Sequence, residues 1–160
     1  MMKLILSGVA VICLRRSSDV RDESMVVLSQ RHNCQAFNGY WQLGGGRIEK
    51  DETPLKAAHR ELKEELGLRI DIRRLQPMGP SLLFRWSWPF FYVTHFFRLN
   101  LHEDEHVRWM EPKKNTRWSA VHLRDAIQLK LMPGMRKHLI TTLKEDRQHR
   151  RTYSSVKYAL

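Results

Sequence analysis

Gly46-Arg47-Ile48-Glu49-Lys50-Asp51-Glu52-Thr53-Pro54-Leu55-Lys56-Ala57-Ala58-His59-Arg60-Glu61-Leu62-Lys63-Glu64-Glu65-Leu66-Gly67-Leu68 is the stretch on which the fold turns. Its centre, residues 53–66, predicts a helix. Thr53 suits the N-cap, where a hydroxyl can accept an orphan backbone N–H. Pro54 suits the first helical position, where its missing donor costs nothing. Gly67 suits the stop, because a residue just past a helix end tends to be left-handed. Leu55, Ala58, Leu62 and Leu66 recur at helical spacing and form one apolar stripe for a core.

The same helix gathers Glu61, Glu64 and Glu65 at i, i+3 and i+4 on another side. Like charges so placed destabilise a bare helix by a few tenths of a kcal/mol per pair. A divalent cation would remove that repulsion and take carboxylate oxygens as hard ligands, and Mg²⁺ is the usual choice where phosphates complete the shell. A solvated charged face balanced by Lys56, Arg60 and Lys63 is the plainer reading of the same residues.

The wider pattern separates the two. Gly46, Glu52 and the run Arg60-Glu61-Leu62-Lys63-Glu64-Glu65-Leu66-Gly67-Leu68 match the Nudix box, G-x5-E-x7-R-E-U-x-E-E-x-G-U with U apolar, at all nine specified positions over 23 residues. The chain therefore resembles the Nudix hydrolases, and Trp41-Gln42-Leu43-Gly44-Gly45-Gly46 is similar to the segment that leads into their box. Relatives usually carry Pro at the place of Gly44, and many carry Gly at that of Asp51. The resemblance implies a Nudix-type α/β/α sandwich with a mixed sheet, in which a loop–helix–loop holds the metal. It implies Glu61 and Glu65 as Mg²⁺ ligands, with Mn²⁺ as an alternative. Glu64 is a further ligand or part of the base machinery, and the Gly45 carbonyl an additional ligand. Arg60 would orient the glutamates through charge-assisted hydrogen bonds, supported by Glu52. Members differ over which glutamate is the base; here Glu61 is taken. Gly46 and Glu52 are placed with Arg31 on the substrate side.

Arg31, fourteen residues before Gly45, resembles an arginine that contacts phosphates in MutT-like members; otherwise it is a surface arginine. Glu111-Pro112-Lys113-Lys114-Asn115-Thr116-Arg117-Trp118 is similar to the E-P-x-K-x-x-x-W element of MutT-type enzymes, which makes Glu111 a candidate ligand. Glu103, Asp104 and Glu105 compete with it. Leu131-Met132-Pro133-Gly134 is similar to the segment before the last helix of those enzymes. The activity implied is hydrolysis of a nucleoside triphosphate, or a related diphosphate derivative, to a monophosphate and pyrophosphate. Two alternatives stand beside it: action on the 5′ end of an RNA, and a non-catalytic ribonucleoprotein subunit.

Outward from the box, residues 3–14 and 25–30 predict a hairpin of two strands, the first buried. Strands are expected over 69–75, 81–87 and 91–100, and a last short one at Trp118. Helices are expected over 122–129 and 133–147. Most of the aromatics Phe84, Trp86, Trp88, Phe90, Phe91, Tyr92, Phe96 and Phe97 read as strand packing, with one or two free to stack on a base. The 160 residues predict one domain over 1–147 and a basic tail over 148–160.

The formal net charge is +11, of which segment 136–160 supplies +5. Such an excess suits substrate attraction, or RNA or a ribonucleoprotein as partner through the C-terminal segment. Two cysteines, Cys13 and Cys34, read as reduced thiols and have no zinc spacing. The apolar start is expected to be a strand rather than a signal peptide, and no run suffices for a membrane span. The expected location is intracellular, cytoplasmic first, with mitochondrion or nucleus open.

Overall fold

The computed structural model describes residues 4–16, 23–34, 36–84, 90–113, 115–116 and 118–157, with the side chains of 4–5, 82–84, 90–91 and 153–157 outside that description. Among the described residues six strands and three α-helices follow one another: β1 (Leu4–Arg15), β2 (Met25–Gln30), β3 (Trp41–Gln42), α1 (Pro54–Leu66), β4 (Gln76–Phe84), β5 (Phe90–Leu101), β6 (Ser119–His122), α2 (Leu123–Ala126) and α3 (Met135–Lys157). The sheet order is β3-β2-β1-β5-β4, with β6 also pairing with β2. β1 and β5 run parallel, while the β1–β2, β2–β3, β2–β6 and β4–β5 pairs are antiparallel. The result is the expected mixed sheet between helical layers.

β1 shows why its sequence is apolar without alternation. Val9, Val11 and Cys13 join one core with Ala58, Leu62 and Leu66 of α1. The intervening Ala10, Ile12 and Leu14 join a second core with Met135, Leu139 and Leu143 of α3. Successive side chains point to opposite faces of a strand, so a central strand covered on both sides is apolar throughout. α1 and α3 therefore lie on opposite faces of the sheet.

The β1–β2 hairpin is present, with Leu14 opposite Val26. The strand expected over 69–75 is not. Ile72–Arg74 form a 3₁₀ turn, because the Asp71 carboxylate accepts the Arg73 N–H that a strand would give to a neighbour. β4 starts at Gln76 instead, and Trp118 stands just before β6. The last helix does not end at Arg147 but continues to Lys157. Arg150 reaches back to Asp146 at 2.8 Å, and Ser24 donates to the same carboxylate at 2.6 Å, so the turns beyond Arg147 are tied to the body. Of the aromatic group, Phe96 and Phe97 are core residues. Trp86 and Trp88, and the side chains of Phe84, Phe90 and Phe91, lie outside the described residues.

Candidate active site

α1 forms as its ends prescribe. Thr53 accepts the Lys56 N–H, Pro54 opens the helix, and Gly67, at φ 67°, closes it by donating to Leu62 and Lys63. Leu62 and Leu66 then sink into the core, which turns Glu61 and Glu65 toward the preceding glycine segment. Both glutamates are only 9% exposed. Glu65 accepts the Gly45 N–H at 2.8 Å. The Gly44 and Gly46 carbonyls are taken by Val11 and Val9 of β1, at 2.8 Å each. The segment is thus clamped between sheet and helix.

Two glycines here are required by space. At Gly46 a Cβ would come within 2.2 Å of a Glu61 carboxylate oxygen. At Gly45, with φ 152°, a Cβ would meet the Val9 carbonyl at 2.1 Å. Bare backbone leaves room for the Glu61 carboxylate at Gly46 and for the close approach of β1 at Gly45.

Arg60 organises the acids. Its Nε and Nη2 both bond Glu52, at 3.0 Å. Nη1 bonds Glu61 at 2.9 Å and Glu64 at 3.1 Å. Nη2 also donates to the Arg47 carbonyl at 2.9 Å. The guanidinium holds Glu52 below the ordinary carboxylate range. Glu61 goes the other way. Burial raises it, the charges of Glu64 and Glu111 add to the rise, and Arg60 opposes it. Glu111 thus lies close enough for its charge to act on Glu61. Glu105 is committed elsewhere, to Arg74 at 2.9 Å.

Arg31 leads into a buried polar chain that the sequence did not reveal as one unit. Its Nη1 donates to Gln42 Oε1 at 2.7 Å, and Gln42 Nε2 donates to Asn115 Oδ1 at 2.9 Å and Ser29 Oγ at 3.5 Å. The Arg31 Nε is buried and has no acceptor among the described residues. Tyr92 feels charges from both groups. Burial raises its phenol, Glu61 adds to the rise, and Arg47 and Arg31 lower it. Sequence reasoning had placed Tyr92 in a packing group, Gln42 in the glycine lead-in and Asn115 in the Glu111 element, with no separate signal for any of them.

Among the described residues, no three His, Cys, Asp or Glu side chains stand close enough together to enclose a metal ion. The Arg60 guanidinium holds Glu61 and Glu64 instead. Their chemistry nevertheless fits a hard divalent cation. Two carboxylates are nearly buried, two more act on Glu61 by charge, and all donors are oxygen.

A NUDIX domain model matches residues 6–142. Over 102 residues the chain is 28% identical to CTP pyrophosphohydrolase of Escherichia coli (strain K12), covering 59% of this chain and 73% of that protein. Over 57 residues it is 39% identical to RNA pyrophosphohydrolase of Helicobacter pylori (strain G27), covering 36% of this chain and 35% of the relative. Among solved structures, the MutT protein from Methanosarcina mazei Go1 superposes with a TM-score of 0.68 at 18% identity, over 91% of this chain and 98% of the other. The chain belongs to the Nudix family. It is a MutT-like Nudix hydrolase, and enzymes of this kind generally use a divalent metal.

Proposed function

We propose that the protein is a Mg²⁺-dependent pyrophosphohydrolase that cleaves a nucleoside triphosphate, or a related nucleoside diphosphate derivative, to a monophosphate and pyrophosphate. The observation that carries this reading is the pair Glu61 and Glu65, buried against Gly45 and Gly46 on one side of α1. A structural helix gains nothing from sinking two carboxylates beside one another.

Glu61, Glu65, Glu64 and Glu111 would hold Mg²⁺, or Mn²⁺ in its place. The metal would supply positive charge against the phosphate oxygens and make the attacking water more acidic. The protein's own groups do the rest. Arg60 fixes the Glu61 and Glu64 oxygens in one direction, anchored in turn by Glu52. Gly46 leaves room for Glu61, and Glu61 takes a proton from the water. Arg31, held by Gln42, would turn its guanidinium charge toward a phosphate.

A second reading keeps the chemistry and places the diphosphate at the 5′ end of an RNA. The net charge of +11 favours it, and one relative is named for that activity. Incubation of the purified protein with a nucleotide panel and a 5′-triphosphorylated RNA, with Mg²⁺, decides between them by ion-exchange separation of products. Monophosphate and pyrophosphate from a free nucleotide is the expected result. Turnover of RNA alone would install the second reading, and no turnover of any substrate would overturn both.

A further inference from the structure

We infer that α3 carries a docking stripe for single-stranded RNA, on the face of the sheet opposite the glutamates. The phase of the helix is the observation. At 100° per residue, Arg136, Arg147, Arg151, Lys144 and Lys137 all fall within one sector of about 100°, with Ile140 among them. All five basic residues are exposed. The buried residues Met135, Leu139, Leu143 and Asp146 centre about 115° away, toward the second core. From Lys137 to Arg151 the stripe runs about 21 Å along a rigid helix.

Acids of the helix are kept out of it. Glu145 lies on the far flank, paired with Arg98. Asp146 is buried against Ser24 and Arg150. Two acids border the stripe: Glu23, which Arg147 touches at 3.4 Å and Arg124 at 3.8 Å, and Asp125, 3.9 Å from Arg124. Arg136 donates to the Leu129 carbonyl at 3.0 Å through one nitrogen, leaving the rest of its fork outward.

A row of cations at this spacing matches a chain of phosphates and little else. A membrane surface would want an apolar face beside the charge, and on α3 that face is spent in the core. The stripe reads phosphates without base edges, so it gives affinity rather than sequence preference. The choice of RNA over DNA rests on the second reading of the proposed function, since 5′-triphosphorylated RNA ends bear the phosphoanhydrides that the glutamate face would cut. The stripe and the glutamates sit on opposite layers, so the stripe tethers a strand and takes no part in the chemistry.

The test uses the full chain and a labelled 12-nucleotide single-stranded RNA bearing a 5′-monophosphate, which offers no anhydride to cleave. Anisotropy is followed against KCl. Five phosphate contacts predict a slope of log K against log salt of about −3.5, at about 0.7 per contact. The triple variant K137E/K144E/R151E should bind at least about tenfold more weakly, with a slope smaller by about 2, while its melting and its hydrolysis of a free nucleotide stay as in the wild type. RNA affinity unchanged by the triple variant overturns the stripe. So does tighter binding of single-stranded DNA of the same sequence, or capture of anionic phospholipid vesicles without binding of RNA. Because binding is read without hydrolysis, a failure of the proposed activity leaves this result standing on its own.

Discussion

α1 and α3 are both amphipathic helices laid on the same sheet, and they use the second face in opposite ways. α1 has 13 residues, and its non-core face turns inward again, so that Glu61 and Glu65 end nearly buried. α3 has 23 residues, and its non-core face turns outward with five exposed Lys and Arg. Each also buries an acid, with different consequences. Asp146 on α3 is pushed up by burial, but bonds from Arg150 and Ser24 outweigh that and lower it, which is how a structural carboxylate is satisfied. Glu61 on α1 is raised, because burial exceeds what Arg60 returns and further carboxylates crowd it. A buried acid whose partners suffice belongs to the fold. One left short of positive charge marks a site that awaits a ligand.

That contrast can be broken from either helix. The largest effect should come from Glu65→Gln, which keeps the size of the side chain and removes its charge. Turnover in a nucleotide hydrolysis assay should fall by at least about a hundredfold, with the melting temperature nearly unchanged. Gly46→Ala comes next. Its Cβ must displace the Glu61 carboxylate, which stands 2.2 Å away, and misplacement of about 1 Å can cost about a hundredfold. Steady-state kinetics should show the loss in kcat more than in KM.

On the other helix, Asp146→Ala should leave activity per folded molecule intact. It should cost about 1–3 kcal/mol in denaturant unfolding, because Ser24 and Arg150 each lose one hydrogen bond to a buried carboxylate. Equal loss of activity in this variant and in Glu65→Gln would erase the distinction between the helices.

A finer test is pH. His138 of α3 is buried, stacked on Phe96 at 3.9 Å and hydrogen-bonded to Ser81 at 2.8 Å. Burial, with Lys137 adding, lowers its pKa below the ordinary 6.5. Below that value the unfolded chain takes up the proton and the folded chain does not, so stability is full above about 6.5 and declines as pH falls toward the folded pKa. The slope is bounded by about 1.4 kcal/mol per pH unit. Thermal melts at pH 7.5 and 5.5 should show this decline in the wild type and less of it in His138→Gln. The smallest effect belongs to Asp51, at φ 62°, where many relatives have glycine. Asp51→Gly should raise stability by up to about 1 kcal/mol, read in the same unfolding assay, with the glutamates untouched.

Much of α1 was legible in the sequence because its signals are local. Thr53, Pro54 and Gly67 mark its ends, and the spacing of Leu62, Leu66 and the glutamates sets its faces. The mixed sheet followed from family resemblance more than from periodicity, since β1 is covered on both faces and shows no alternation. The turn at Ile72–Arg74 was read as strand because Ile70, Ile72 and Leu75 are apolar, whereas the Asp71 side chain decides the backbone. The final turns of α3 read as tail because their composition is polar. What holds them is a contact between Asp146 and Ser24, 122 residues apart, which no window of sequence contains. The Arg31–Gln42–Asn115 chain escaped for the same reason, being assembled from three separate segments.

The most direct measurement is titration of the protein with Mn²⁺, followed by electron paramagnetic resonance, in the wild type, Glu65→Gln and the triple α3 variant. If the α1 carboxylates hold a divalent cation, the wild type and the α3 variant should bind Mn²⁺ alike, and Glu65→Gln at least about tenfold more weakly. Equal binding by all three, or none by any, would contradict the assignment of the Glu61–Glu65 face as a metal centre.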